Sequence, residues 1–220
     1  MLTFIQNPQL LIDEFNKMVF IAQKKAILTI AIEIQKEEIK TIESYLKELK
    51  DLKREFVNKN FESEANLVYC IENSLLAIAF ELQMLVCLKE DRMAEAWDNL
   101  VRAQVVYGTV ISNSTFQSEE HNSYLLRLEQ YEKLLFPELY FQSIGSVIKE
   151  SHCSICKQKS GKCNHIKGKL YNGELCIRNI TEVELEEVSL VKNPTNKHCR
   201  VLSIEQNGKK IDILTLREIK

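Results

Sequence analysis

Three cysteines and a histidine fall within thirteen residues, as Cys153-Ser-Ile-Cys156, a six-residue spacer, and Cys163-Asn-His165. A Cys-x-x-Cys turn presents two thiolates to one ion, and Zn²⁺ takes four such soft or borderline donors in a tetrahedron. Gly161 and the lysines between the two pairs suit a solvated loop. The spacing therefore predicts one structural zinc per chain, held by Cys153, Cys156, Cys163 and His165, with Cys176 as the alternative to His165 for the fourth position. Four protein ligands leave no seat for water, which points to a structural rather than a catalytic ion.

Such a staple answers a need. Gly108 is the only glycine before Ser143, whereas five glycines follow it, so the punctuation changes near Pro137. We place the boundary at Tyr140, giving domains 1–140 and 141–220. The second is about eighty residues long and has a thin core, a size at which bound metal contributes folding energy. Up to Tyr140 there are 15 basic and 22 acidic residues, net −7; after it there are 14 and 9, net +5, which together give the stated −2. That asymmetry lets the halves meet different partners.

No uninterrupted apolar stretch opens the chain in the manner of a secretory signal. The apolar region Met18–Ile34 is broken by Lys24, Lys25 and Glu33, short of the roughly 20 residues of a membrane helix. These features predict a cytoplasmic protein without a membrane partner, where thiols stay reduced and the seven cysteines are buried, reactive or metal-bound.

The first half reads as helix. Asn7-Pro8 is a start signal, and no glycine or proline appears for about fifty residues afterwards. Ile32, Ile39, Ile42, Leu46, Leu49 and Phe56 share one face of a long helix, which breaks at Asn58–Asn60. Leu67 to Leu85 carry a second stripe. Asp91 is placed to cap a third helix with Trp97, Leu100, Val101 and Val105 inward, and Tyr124, Leu128, Tyr131 and Leu135 form a fourth before Pro137. About four antiparallel helices make a bundle or a repeat-like array. Cys70, Cys87 and Trp97 lie in apolar stripes as core residues. His121 is the only histidine of this half, so the Glu-x-x-His pairs of a di-iron bundle are missing.

In the second half, Asn172-Gly173 and Asn207-Gly208 are hairpin dipeptides. Strands are expected around them, at Ile211–Leu216 and at Glu187–Val191, forming a small antiparallel sheet or partial barrel. The fold class is thus α+β, a helical bundle followed by a zinc-stapled antiparallel β domain.

Two segments of this half resemble motifs of the tailed-phage prohead maturation proteases. Ser143-Ile-Gly-Ser146 is similar to their Ser-Ile-Gly-Phe motif, and Glu187-Val-Ser-Leu-Val-Lys-Asn-Pro-Thr-Asn196 to their Glu-Val-Ser-x-Val-x-x-Pro-Ala-Asn strand. The resemblance spans about residues 142–204. It implies that Ser143 stands where that family has its nucleophile, with a serine protease of that type as one alternative function, and that the context is phage or prophage assembly or a bacterial counterpart that engages phage products. The family also uses a histidine from an earlier strand to activate the serine; here a helical half precedes it, and His152 and His198 are the other conceivable bases. The expected function is accordingly a non-enzymatic protein-interaction or scaffold role, with the helical half binding a protein partner or a second copy. Lys157, Lys159, Lys162, Lys167 and Lys169 around the zinc offer nucleic acid as the alternative partner.

Overall fold

The structure, a computed structural model, describes residues 8–28, 30–114 and 119–219. Asn7, expected to cap the first helix, lies outside them. Among the described residues five helices are followed by three antiparallel two-stranded ribbons, so the α+β class is present with one helix more than the apolar stripes indicated. The helices are α1 (Pro8–Leu28), α2 (Ile32–Asn58), α3 (Glu62–Lys89), α4 (Met93–Asn113) and α5 (Glu119–Leu135). The strands are β1 (Phe141–Cys153), β2 (Leu170–Tyr171), β3 (Glu174–Leu175), β4 (Arg178–Val191), β5 (Ser203–Gln206) and β6 (Lys209–Asp212).

The additional helix arises because the first fifty residues do not run unbroken. The chain leaves helical geometry at Ile30 and Ala31, Ala31 being extended at φ −70°, ψ 117°. No glycine or proline marks the place. The local sequence Thr29-Ile30-Ala31-Ile32 is rich in β-branched residues, whose χ1 restriction weakens helix.

Two compact units result. One comprises residues 1–128 together with 170–175, the other residues 129–169 together with 176–220. The expected division at Tyr140 is therefore displaced in two respects: the last turns of α5 count with the ribbons, and the β2–β3 hairpin counts with the helices.

In the helical unit α3 is the central element. Apolar positions are buried around much of its circumference, among them Ala65, Val68, Leu75, Leu82, Met84 and Val86. It is long and apolar enough to cross a membrane by length and composition, but 67% of its most apolar window is buried within the fold. It also carries Glu72 and the fully buried Glu81, which pair with Lys53 (2.5 Å) and Arg127 (2.9 Å). Carboxylates so placed are costly in lipid and are paired here with cations, the pattern of a bundle's core helix.

Against α3 lie the expected stripe of α2, buried from Ile39 to Phe56, and Trp97, Leu100 and Val101 of α4. The α4 face continues through Ala103, Tyr107 and Val110, leaving Val105 61% exposed rather than inward, because its position drifts off the buried stripe. Asp91 is not the cap of α4. Arg92 occupies that position without a side-chain cap bond, and Asp91 takes a left-handed φ of 58° directly after α3. Asn60 plays the corresponding part after α2, at φ 56°. On α5, Tyr124 and Leu128 are buried as expected, and their stripe fades to Leu135, 38% exposed.

The hairpin β2–β3 belongs to this unit through hydrogen bonds. Leu170 N donates to Asn113 Oδ1 (3.1 Å), Asn172 N to Glu62 Oε1 (3.2 Å) and Gly173 N to Asn66 Oδ1 (2.8 Å). Its turn has φ 47° at Asn172 and 76° at Gly173, the doubly positive pair that the Asn-Gly dipeptide favours.

In the other unit the dominant element is the long ribbon of β1 and β4, paired from Phe141↔Val191 to Cys153↔Arg178. The short strand expected at Glu187–Val191 is the final third of β4. Asn207-Gly208 turns β5 into β6 as expected. The second strand of that hairpin stops at Asp212, because Asp212 Oδ1 accepts from Thr215 N and Oγ1 (2.8 and 2.9 Å), curling Ile213–Leu216 into a turn. Few side chains of this unit are buried; Phe136, Leu139, Phe141, Ser151, Cys153, Cys176 and Leu214 are the ones among its described residues.

Candidate metal centre

The donors converge at the closed end of the long ribbon. β1 delivers Cys153, after which Ser154–Cys156 turn and Lys157 takes φ 63°. Lys157 N donates to Cys153 O (3.0 Å), Cys153 N to Gln158 O (2.8 Å) and Ser160 N to Ser151 O (2.8 Å), so the loop folds back along the strand that launched it. This geometry turns the Cys153 and Cys156 side chains to the same side. The loop then brings in Cys163 and His165. One donor atom from each of Cys153, Cys156, Cys163 and His165 lies within 4.8 Å of all the others. Cys153 is buried and the other three are half-buried. The structure thus assembles all four residues that the spacing nominated, and they can hold a metal ion.

Cys176 stands beside them. Its backbone is fixed on both sides, Cys176 N donating to Lys169 O and Gly168 N to Cys176 O, each at 2.8 Å. The next residue is tied to the Cys-x-x-Cys turn, Ile177 N donating to Ser154 Oγ (2.9 Å) and Ser154 N to Ile177 O (3.0 Å). The result is a Cys153 Sγ to Cys176 Sγ distance of 3.7 Å. Two thiolates bound tetrahedrally at about 2.3 Å from one ion stand about 3.8 Å apart. Cys176 therefore stands at ligand spacing from Cys153, just outside the four donors that all lie within 4.8 Å of one another.

The electrostatics match a cation site. The amides of Cys156 and Ile155 point at Cys153 and draw its thiol down to about 6, against the opposing effect of burial. At Cys163 the amide of His165 acts in the same sense, but desolvation and the neighbouring Cys156 and Cys153 thiols outweigh it and raise the value. Burial, then the proximity of Cys153, raises Cys176. One thiolate is ready and its neighbours resist joining it, a conflict of like charges that a divalent cation removes.

The remaining nominated residues are distributed elsewhere. Ser143 lies on β1 opposite Ser189, and the two segments that resemble the protease motifs are neighbours, with Ile144 paired to Val188 and Gly145 to Glu187. His152 lies nine residues further along the same strand, on the order of 30 Å away at the rise of a β-strand, which is beyond reach of Ser143. His198 precedes Cys199, whose carbonyl accepts from Gln142 N (2.8 Å), so that segment runs beside the start of β1. His121 falls in α5, and its side chain is outside the described residues. Lys157, Lys159, Lys162, Lys167 and Lys169 are all exposed. Cys70 and Cys87 are buried in α3, as their stripe indicated. Compared with known protein families, curated proteins and solved structures, the chain matches none.

Proposed function

We propose that this chain is a non-enzymatic protein-interaction scaffold whose ribbon unit is organised by one structural Zn²⁺. The observation that carries the reading is the closed cluster of Cys153, Cys156, Cys163 and His165, with Cys176 at 3.7 Å from Cys153. Thiolate and imidazole donors favour zinc over the oxygen-seeking Mg²⁺ and Ca²⁺, and a full set of protein ligands leaves no open position for a reacting water. The sparse burial around β1 and β4 supports the same reading, since a unit with so little core needs its stability from elsewhere. The motifs around Ser143 and Glu187 favour phage or prophage assembly as the setting, with a protein of that machinery as partner.

Metal analysis of the purified chain tests the zinc, with close to one equivalent expected. Cys153→Ser combined with Cys156→Ser removes two ligands and leaves three donors at most even when Cys176 joins, and metal binding at such sites is folding energy. Hydrogen exchange should then become fast throughout β1 and β4 while α2–α4 remain protected. Metal far below one equivalent, or an unchanged exchange pattern in the variant, would defeat the reading.

The five exposed lysines of the loop favour a second reading, in which the zinc unit binds nucleic acid. Phosphate contacts release counterions, so binding to single-stranded or duplex probes would weaken steeply with salt. Salt-independent or undetectable binding leaves the scaffold reading alone.

A further inference from the structure

The β1–β4 ribbon is amphipathic, and its apolar side faces solvent. Through the register, Ile144 and Ile148 of β1 share one face with Val183, Leu185, Val188 and Leu190 of β4. Strict alternation would put Leu185 and Val188 on opposite faces, because they are three residues apart. The irregularity opposite Gly145/Ser146 inserts one extra residue in β4 and restores Leu185 to the face of Val188. The other face carries Ser143, Ser189, Glu187 and the Lys149–Glu184 ion pair at 2.7 Å. From Gln142↔Leu190 to Ile148↔Val183 the bulge thus keeps the six apolar side chains on one face, with Gln142 and Ser146 as the polar members of that face and Val147 on the other, opposite Glu184.

The six apolar side chains are uncovered, from 41% exposed at Ile148 to 69% at Leu185. No residue of β4 is buried. A ribbon of two strands is marginal in water, and stability comes when its apolar face packs on a further layer. We propose that this layer is the same face of a second copy of this chain, the two ribbons packing face to face across a two-fold axis.

Area and chemistry select that occupant. Six side chains at these exposures present roughly 600 Å², so two copies together bury about 1,200 Å², the lower bound of a stable interface. Between Gln142↔Leu190 and Ile148↔Val183 the face bears no charged group, so this stretch offers nothing to recognise a nucleic acid or a charged peptide, whereas an identical apolar face complements it. A two-fold arrangement matches one patch with itself, the commonest way in which chains associate. Sheets pack in this manner about 10 Å apart, leaving the polar faces outermost and solvated. The proposal rests on the ribbon and holds whichever partner the scaffold serves.

Sedimentation of the full, metal-loaded chain between about 1 and 100 μM tests it, with a dimer expected. Leu185→Glu places two carboxylates in the apolar layer and should weaken dimerisation by at least ~100-fold. Its metal content reports whether the unit still folds. Should that variant lose its metal, a photocrosslinking amino acid substituted for Ser146 in the otherwise unaltered chain gives the answer, with covalent dimers joined ribbon to ribbon expected. A monomer throughout that range overturns the proposal. So does a dimer that a metal-loaded Leu185→Glu chain retains unweakened, or one whose crosslinks from position 146 map outside the ribbon.

Discussion

Cys153 and Cys176 are separated by 23 positions in sequence, yet their sulfur atoms stand 3.7 Å apart, an edge length suited to two thiolates on one tetrahedral ion. Five donors therefore compete for four seats. His165→Asn and Cys176→Ser should each retain close to one metal, because the other residue fills the vacated position, with affinity lowered about 10- to 100-fold. The double variant should bind none. Cobalt substitution reads the outcome through the thiolate charge-transfer band, which should lose intensity in Cys176→Ser and not in His165→Asn. Complete loss of metal in either single variant would show that the seat is not shared.

Alkaline pH should unfold the helical unit, and the sign follows from burial. Desolvation raises Cys70 from an ordinary 9.0 to about 11. Desolvation likewise raises Tyr107 from 10.0 to about 12, with Arg127 partly opposing, and lifts Tyr124 further still. Groups raised in the folded state contribute stability that is complete below their unfolded values and lost as pH rises through the folded ones. Urea midpoints followed by helical circular dichroism should accordingly hold up to about pH 9 and fall between pH 9 and 12. In Tyr107→Phe the fall should be shallower. A flat profile across that window would contradict the burial of these groups.

A side chain at position 173 meets two obstacles. The φ of Gly173 is +76°, and a Cβ there would meet Ala65 Cβ and Lys53 Cγ, each at 3.3 Å. Gly173→Val should cost the helical unit about 1–3 kcal/mol from the backbone conformation alone, with a lowered urea midpoint as the readout and metal content preserved. An unaltered midpoint would mean that the hairpin does not contribute to that unit.

Ser143→Ala should leave partner binding unchanged, and a fluorophosphonate probe should fail to label the native chain. A serine hydroxyl at its ordinary pKa is a poor nucleophile without a base. His152, the histidine on its own strand, is too distant to serve. Labelling at Ser143 that disappears in both Ser143→Ala and His198→Ala would instead assign catalysis to the segment beside β1.

The parts of the fold that were legible in the sequence are those set by local chemistry. Asn172-Gly173 and Asn207-Gly208 announce hairpins because both residues of such a turn need positive φ. The Cys-x-x-Cys spacing announces its site for a similar reason, since two residues between thiols are enough for one turn. The interruption at Ile30–Ala31 was hidden, for it carries no breaker and depends on a modest loss of helix propensity. Only the last third of β4 was expected, although Thr181–Glu186 alternates with a strand's period of two; the extra residue at Glu186 breaks that alternation before Val188 and masks the continuity of the strand. The position of Cys176 beside Cys153 depends on the intervening hairpin, which spacing alone does not describe.

That hairpin has a bearing on how such a chain can be divided or inherited. Residues 170–175 complete the helical unit, although the segments on either side of them belong to the other. No single cut separates the two units intact. A fragment ending at Tyr140 would forfeit the backbone donors that Asn113, Glu62 and Asn66 accept from Leu170, Asn172 and Gly173, and would uncover Ala65. A fragment beginning there would carry six residues without the helices that receive them. Genetic exchange at one crossover point would damage both products, so the helical and metal-binding parts are constrained to travel as one heritable piece.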